Sequence, residues 1–183
     1  MIVLPKLLVL SGPAGAGKST IAGELADRHG YTVVKFAAPL KNMLRALGLS
    51  EAEIEGDLKE QPCALLGGRT PRHAMQTLGT EWGRGCIDAE VWVSAWKREV
   101  DRVLAAGGRV VVDDCRFKNE LAAALVRGGG AVRLVRAGAG TVPHASEVGL
   151  AGLALPEIIN DREPAVVAAE ILAMDWEPMQ CLC

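Results

Sequence analysis

The run Gly-Pro-Ala-Gly-Ala-Gly-Lys-Ser-Thr, from Gly12 to Thr20, contains the spacing G-x-x-x-x-G-K-[ST]. That spacing suits one kind of chemistry. Glycines let backbone N–H groups converge on phosphate oxygens in conformations closed to other residues, and a helix N-terminus adds positive potential behind them. A lysine at the position of Lys18 reaches the β- and γ-phosphates of a nucleotide, and a hydroxyl at the position of Ser19 is a ligand for Mg²⁺. The loop therefore predicts a bound ATP or GTP, held by Gly12, Ala14, Gly15, Ala16, Gly17, Lys18, Ser19 and Thr20, with Mg²⁺ as cofactor. A GTPase would carry an N-K-x-D motif to read the base, and none is present; the one D-x-x-G match, Asp27 to Gly30, ends the first helix. A large ATPase machine does not fit 183 residues, so a small-molecule kinase fits best.

Two further stretches carry residue types that phosphoryl transfer needs. In VVVDDCRFKNE, Asp113 and Asp114 close an apolar run, where an acid can hold Mg²⁺ or its water shell. Adjacent strand residues point to opposite faces, so one of the pair faces the phosphate loop. Arg116 follows closely; it either meets the transferring phosphate or forms a structural salt bridge, with Glu120 as the candidate partner. In RTPRHAMQTLGTEWGRG, from Arg69 to Gly85, three arginines, a glutamine and a tryptophan share one short span. Met75, Leu78 and Trp82 fall at helical spacing on one face, while Arg72 and Gln76, one turn apart, share another. A guanidinium can grip a phosphate with two parallel bonds, and a carboxamide offers a donor and an acceptor to the edge of a base. Trp82 either stacks on that base or packs inward. His73 and His144 are read as structural or pocket-edge residues, because transfer to a phosphate oxygen needs no strong general base.

The elements that must position these residues alternate along the chain, the pattern of an α/β fold with a parallel sheet. Strands are expected at LLVLS, TVVKFA, RVVVDD, AVRLVR and EIIN. Helices are expected from Lys18 to about His29, from Pro39 to Leu47, from the Thr70-Pro71 start, over about 89–106 and 118–127, and at PAVVAAEILAM. Residues 50–68 read as a short helix and a loop. Trp92 and Trp96, four apart, are assigned to the core. The expected architecture is a three-layer P-loop NTPase fold, with about five parallel strands flanked by helices and a small lid.

Half of the residues are hydrophobic and the formal net charge is -2, with no basic stripe or tail. Sequence-independent binding to nucleic acid is therefore not expected. Five scattered cysteines, with no Cys-x-x-Cys pair, suggest reduced thiols and a cytoplasmic protein. The apolar start MIVLPKLLVL runs straight into the phosphate loop and reads as the first strand, and no other segment is long enough for a membrane span.

Four segments in this order resemble the bacteriophage-type deoxynucleoside monophosphate kinases, a branch of the P-loop nucleoside monophosphate kinases: GPAGAGKST, KFAAPLKNML, TPRHAMQTLGTEWGR with DDCRFKNE, and HASE. The likeness runs from Leu8 to about Leu150, and QTLGTEWGR followed by DCRFKNE is its most specific part. It implies transfer of the ATP γ-phosphate to a deoxynucleoside 5′-monophosphate. It further implies that Phe36 and Lys41 border the monophosphate, and that Arg72, Gln76, Trp82, Arg84 and Glu120 line the acceptor pocket. By the same resemblance, Lys18, Asp114, Arg116 and Arg136 act on the transferring group. Asp114, with Asp113 as the alternative, would serve the metal beside Ser19. His144, Ser146 and Glu147 would belong to a lid over about 137–152, and about 38–88 would be the acceptor-binding helical part of a single domain spanning 1–183. Cys115 departs from the small apolar residue usual there, and residues 50–68 do not align. A phage origin, and with it the host cytoplasm, follows from the resemblance alone; a homodimer is left open.

Two other readings stay open at this point. One is a kinase for another small phosphorylated acceptor such as phosphomevalonate, against which Gln76 and Trp82 argue. The other is an ATP-binding regulatory module with no acceptor, against which the arginines in three separate segments argue.

Overall fold

The computed structural model describes residues 4–139, 150 and 152–176, so His144, Ser146 and Glu147 lie outside the described residues. The chain divides into two compact units, residues 1–35 with 97–183, and residues 36–96.

The first unit is built on β1 (Leu7–Ser11), β2 (Tyr31–Val33), β3 (Arg109–Val112), β4 (Gly130–Val135) and β5 (Glu157–Ile159). They form one sheet of order β2-β3-β1-β4-β5, with every neighbouring pair parallel. All five residues of β1 are buried, as a central strand covered on both faces requires. Leu8 and Leu10 join Val111, Val132, Leu134 and Ile158 against Ile21 and Leu25 of α1 (Lys18–His29) and Val167 and Ile171 of α7 (Pro164–Ala173). With period-2 alternation Leu7 and Val9 face the other way, and α6 (Lys118–Leu125) packs on β1 and β4. The indole of Trp176 fills the space a side chain at Gly130 would need.

The second unit holds α2 (Ala38–Leu47), α3 (Glu51–Ile54), α4 (Pro71–Thr77), a π-helical segment Leu78–Ile87, and the start of α5 (Val91–Ala105). Thr70 caps α4 by accepting from the His73 N–H, and Pro71 occupies the first turn, where no amide hydrogen is needed. Ser50 and Glu53 form a capping box around α3. In the turn before α5, Asp88 accepts from the Glu90 N–H at 2.7 Å. Leu44, Leu49 and Ile54 make a small core with Leu66, Ala74, Met75 and Leu78, and Phe36 stacks on Trp96 at 4.3 Å.

Several elements differ from expectation: the strand expected over RVVVDD stops at Val112, and 3₁₀ turns at Asp57–Glu60 and Ala64–Leu66 stand where a loop was expected. The strand expected over TVVKFA ends at Val33; the Val34 N–H still reaches the Val111 carbonyl, but Lys35 then pairs with Asp113 and Phe36 turns onto Trp96. The helix begun at Pro71 changes winding at Leu78. Among the described residues no helix is long and apolar enough to cross a membrane.

The buried Tyr31 hydroxyl donates to the Pro5 carbonyl at 2.6 Å. Burial raises its pKa from 10.0 to about 12, opposed by the nearby Arg109 charge. Because the folded-state value is the higher one, this stabilisation is full below pH 10 and is lost as the pH rises towards about 12. Tyr31→Phe should lose about 1 kcal/mol at neutral pH for the missing hydrogen bond, and should unfold in urea with a flatter dependence on alkaline pH than the parent.

Candidate active site

The phosphate loop leaves the end of β1 and enters α1, and its glycines are set by their surroundings. Gly12 has φ 129°, and a Cβ there would collide with the Leu134 carbonyl oxygen. Gly17, the residue preceding α1, has φ 83°, and a Cβ there would run into the Asn160 side-chain amide. Lys18 curls back so that Nζ donates to the carbonyls of Gly12 at 2.6 Å and Pro13 at 2.8 Å. An ammonium has three donors, and phosphate oxygens brought into the loop would compete for them. Ala14, Gly15, Ser19 and Thr20 are exposed and Ala16 is fully buried. Arg136, just past β4, is exposed and brings Nη1 to 4.0 Å from the position of a Gly17 Cβ.

The two acids at the end of β3 have different surroundings. Asp113 is buried, with Oδ2 at 3.2 Å from the Lys35 ammonium; Oδ1 has no partner among the described residues. Asp114 is half-buried. An orphaned buried carboxylate oxygen calls for a water or a cation shell. Among the described residues no three His, Cys, Asp or Glu side chains gather as a metal cage. Mg²⁺ carried by a nucleotide takes one or two carboxylates, with phosphate oxygens and water completing the octahedron, so these residues fit it. Burial, then the charges of Glu120 and Asp114, pushes the Cys115 thiol up, which keeps it unreactive. Arg116 is exposed. Glu120 is buried and its Oε2 accepts from the backbone N–H groups of Arg116 at 2.8 Å and Phe117 at 3.2 Å, so its carboxylate caps the start of α6.

In the second unit the expected acceptor residues sit among carboxylates. Lys41 meets Glu55 at 2.7 Å and Arg72 meets Glu60 at 2.7 Å, while Gln76 is exposed. Lys59, which sequence reasoning passed over inside an acidic stretch, belongs to the same group. Burial and then the charges of Lys41 and Arg72 hold its pKa below the usual lysine value. Phe36 is buried on Trp96.

The π-helical segment explains the glycines of LGTEWGRG. A Cβ on Gly83 would lie 2.5 Å from the Trp92 ring, and one on Gly79 would touch Leu40 at 3.5 Å. The Gly79 carbonyl accepts from Trp92 Nε1 at 2.7 Å and Arg84 Nη1 at 3.0 Å, and the Asp88 N–H reaches back five residues to Gly83. This wider winding takes Trp82 off the stripe of Met75 and Leu78: Trp82 is 42% exposed, tilted against Trp92 at 6.2 Å. Trp92 and Trp96 are core residues, as expected.

A glycine loop with Lys-Ser between a buried parallel strand and a helix, beside an acid that ends the neighbouring strand, defines a P-loop NTPase fold. No family model matches the chain. Over 167 residues it is 32% identical to a protein of Acanthamoeba polyphaga mimivirus described as a "Putative deoxynucleotide monophosphate kinase", spanning 84% of this chain and 86% of that one. The chain belongs to the deoxynucleotide monophosphate kinase family and is a phosphotransferase. Solved structures similar to it include a sugar kinase from Janibacter sp. HTCC2649, at 14% identity and TM-score 0.47, over 91% of this chain and 92% of that one. A gluconokinase from Sinorhizobium meliloti 1021 matches at 16% identity and TM-score 0.42, over 93% of this chain and 91% of that one.

Lys35 is the charge that balances Asp113. Lys35→Met should lower stability by roughly 2–3 kcal/mol by leaving the buried carboxylate uncompensated, and adding Asp113→Asn should recover most of that loss. Chemical denaturation of the three variants measures it. A loss below about 0.5 kcal/mol, the usual size for an uninvolved surface substitution, would show that the pair does not hold Asp113.

Proposed function

We propose that the chain transfers the γ-phosphate of ATP to a deoxynucleoside 5′-monophosphate, giving ADP and the deoxynucleoside diphosphate. The observation that carries the reading is the relative described as a deoxynucleotide monophosphate kinase, aligned over 84% of this chain. The geometry of the Gly12–Thr20 loop supports it, because a phosphate-holding loop with its lysine in reach is what an ATP-dependent transfer needs.

In this reading the loop N–H groups and Lys18 hold the donor's phosphates, while Arg116 and Arg136 supply charge to the transferring group. An oxygen of the acceptor phosphate attacks the γ-phosphorus in line, and the bond to the bridging oxygen breaks with ADP as leaving group. Little covalent work falls to the protein; positioning and charge neutralisation supply the rate. Mg²⁺ would be held by Ser19 and by an acid at the end of β3, and when bound it neutralises phosphate charge. The orphaned Oδ1 favours Asp113 for that place, with Asp114 as the alternative. Lys41 and Arg72 take the acceptor phosphate in exchange for Glu55 and Glu60, Gln76 reads the base edge, and the exposed ring of Trp82 offers it a wall. Arg84 borders the same acceptor-binding residues, and Phe36 supports them from a buried position. A lid over about 137–152, with His144, Ser146 and Glu147, would exclude water during transfer.

Chromatography of quenched reactions should show ADP and a deoxynucleoside diphosphate appearing in equal amounts. Lys18→Ala and Arg116→Ala should each lower kcat on the order of 10³-fold while leaving the circular dichroism unchanged. Near-parental turnover in either variant removes that residue from the catalytic set.

A further inference from the structure

Asn160 follows β5 directly and is buried, yet nothing in its sequence context, EIIN, marks it out. Its backbone N–H donates to the Val135 carbonyl at 2.7 Å, which ties it to the end of β4. Its side-chain amide donates across the sheet end to the Ala16 carbonyl, also at 2.7 Å.

That carbonyl has a particular position. The intrahelical ladder of α1 begins one residue later, where the Ile21 N–H reaches the Gly17 carbonyl. Ala16 is fully buried, so its carbonyl has neither the ladder nor solvent, and a buried carbonyl without a partner is costly. Asn160 supplies the partner. A trans peptide is planar, with C=O and N–H pointing in opposite directions. Holding the Ala16 carbonyl towards Asn160 therefore fixes the aim of the Gly17 N–H on the opposite side. In a loop of this spacing that N–H belongs to the set that converges on phosphate oxygens. Gly17 itself must be glycine for a matching reason: its φ is 83°, and a Cβ would occupy the place of the Asn160 amide.

The geometry points to Asn160 as a positioning residue for the phosphate cradle: by gripping the Ala16 carbonyl it orients the Ala16–Gly17 peptide, and so the Gly17 N–H, towards a bound polyphosphate. The inference rests on the loop being the nucleotide site. Its ligand is the phosphate chain rather than the base, which makes it separable from a role in base recognition.

The test uses the full chain with Asn160→Ala and Asn160→Leu, the second keeping volume against Gly17 in case the first does not fold. Calorimetry measures affinity for ADP and for inorganic tripolyphosphate, and steady-state kinetics measures KM for the acceptor at saturating ATP. Both ligands should lose tenfold or more in affinity in every folded variant, by similar factors, with the acceptor KM within twofold of the parent. Parental tripolyphosphate affinity in a folded variant, or a loss confined to ADP, would overturn the inference, as would an equal loss of acceptor binding. If the parent itself binds neither ligand, the nucleotide reading falls and this inference with it; parental binding with unchanged variants sinks the inference alone.

Discussion

Backbone N–H groups can hold a phosphate only while the carbonyls of the same peptides, and the glycines between them, are held from behind. Within the loop Lys18 braces the carbonyls of Gly12 and Pro13, and further bracing comes from neighbouring strands. Here β4 supplies a carbonyl wall at Leu134 against Gly12, and the end of β5 supplies Asn160 against Ala16 and Gly17. Both strands lie on the same side of β1 in the sheet. On the other side β3 is followed by Asp113, whose charge is met by Lys35, two residues past β2. The parallel arrangement matters because it brings all these chain ends to one edge, where a ligand can meet several strands at once.

The second unit meets a different constraint. Its cations, Lys41, Arg45, Lys59 and Arg72, crowd together and are balanced by Glu51, Glu55 and Glu60 from the short segment between α2 and α4. The carboxylate of each pair is exposed, and pairs open to solvent contribute about 0–1 kcal/mol each. They keep the cations satisfied but do not bind them strongly, so a doubly charged phosphate can take the place of a carboxylate. The proposed acceptor chemistry depends on that exchange.

Much of this was legible in the sequence, for identifiable reasons. The phosphate loop, its flanking strand and helix, the five strands and Trp92 and Trp96 all carry local signals: glycine spacing, apolar runs, caps and helical periodicity. The change to π winding at Leu78 was not legible, because it goes with packing between elements, the Trp92 ring of α5 lying where a side chain on Gly83 would stand, and no local pattern announces that contact. Helical spacing alone puts Trp82 on the stripe of Met75 and Leu78, and the π winding leaves it exposed. Lys35, Lys59 and Asn160 were missed for a related reason. Each acquires its role from a partner distant in sequence, Asp113, Arg72 or Ala16, and no local pattern distinguishes such a lysine or asparagine from its neighbours. Asp113 and Asp114 could be recognised as a pair, but only burial separates them.

Transfer of a phosphoryl group from ATP to a deoxynucleoside monophosphate can be followed as ADP release with ATP and Mg²⁺ against dTMP, dGMP, dCMP, dAMP, their ribose counterparts and phosphomevalonate. One or more of the deoxynucleotides should stimulate release strongly. Slow release that no nucleotide accelerates would contradict the transfer; stimulation by phosphomevalonate would then indicate another phosphorylated acceptor, and stimulation by none would indicate a nucleotide-binding module without one.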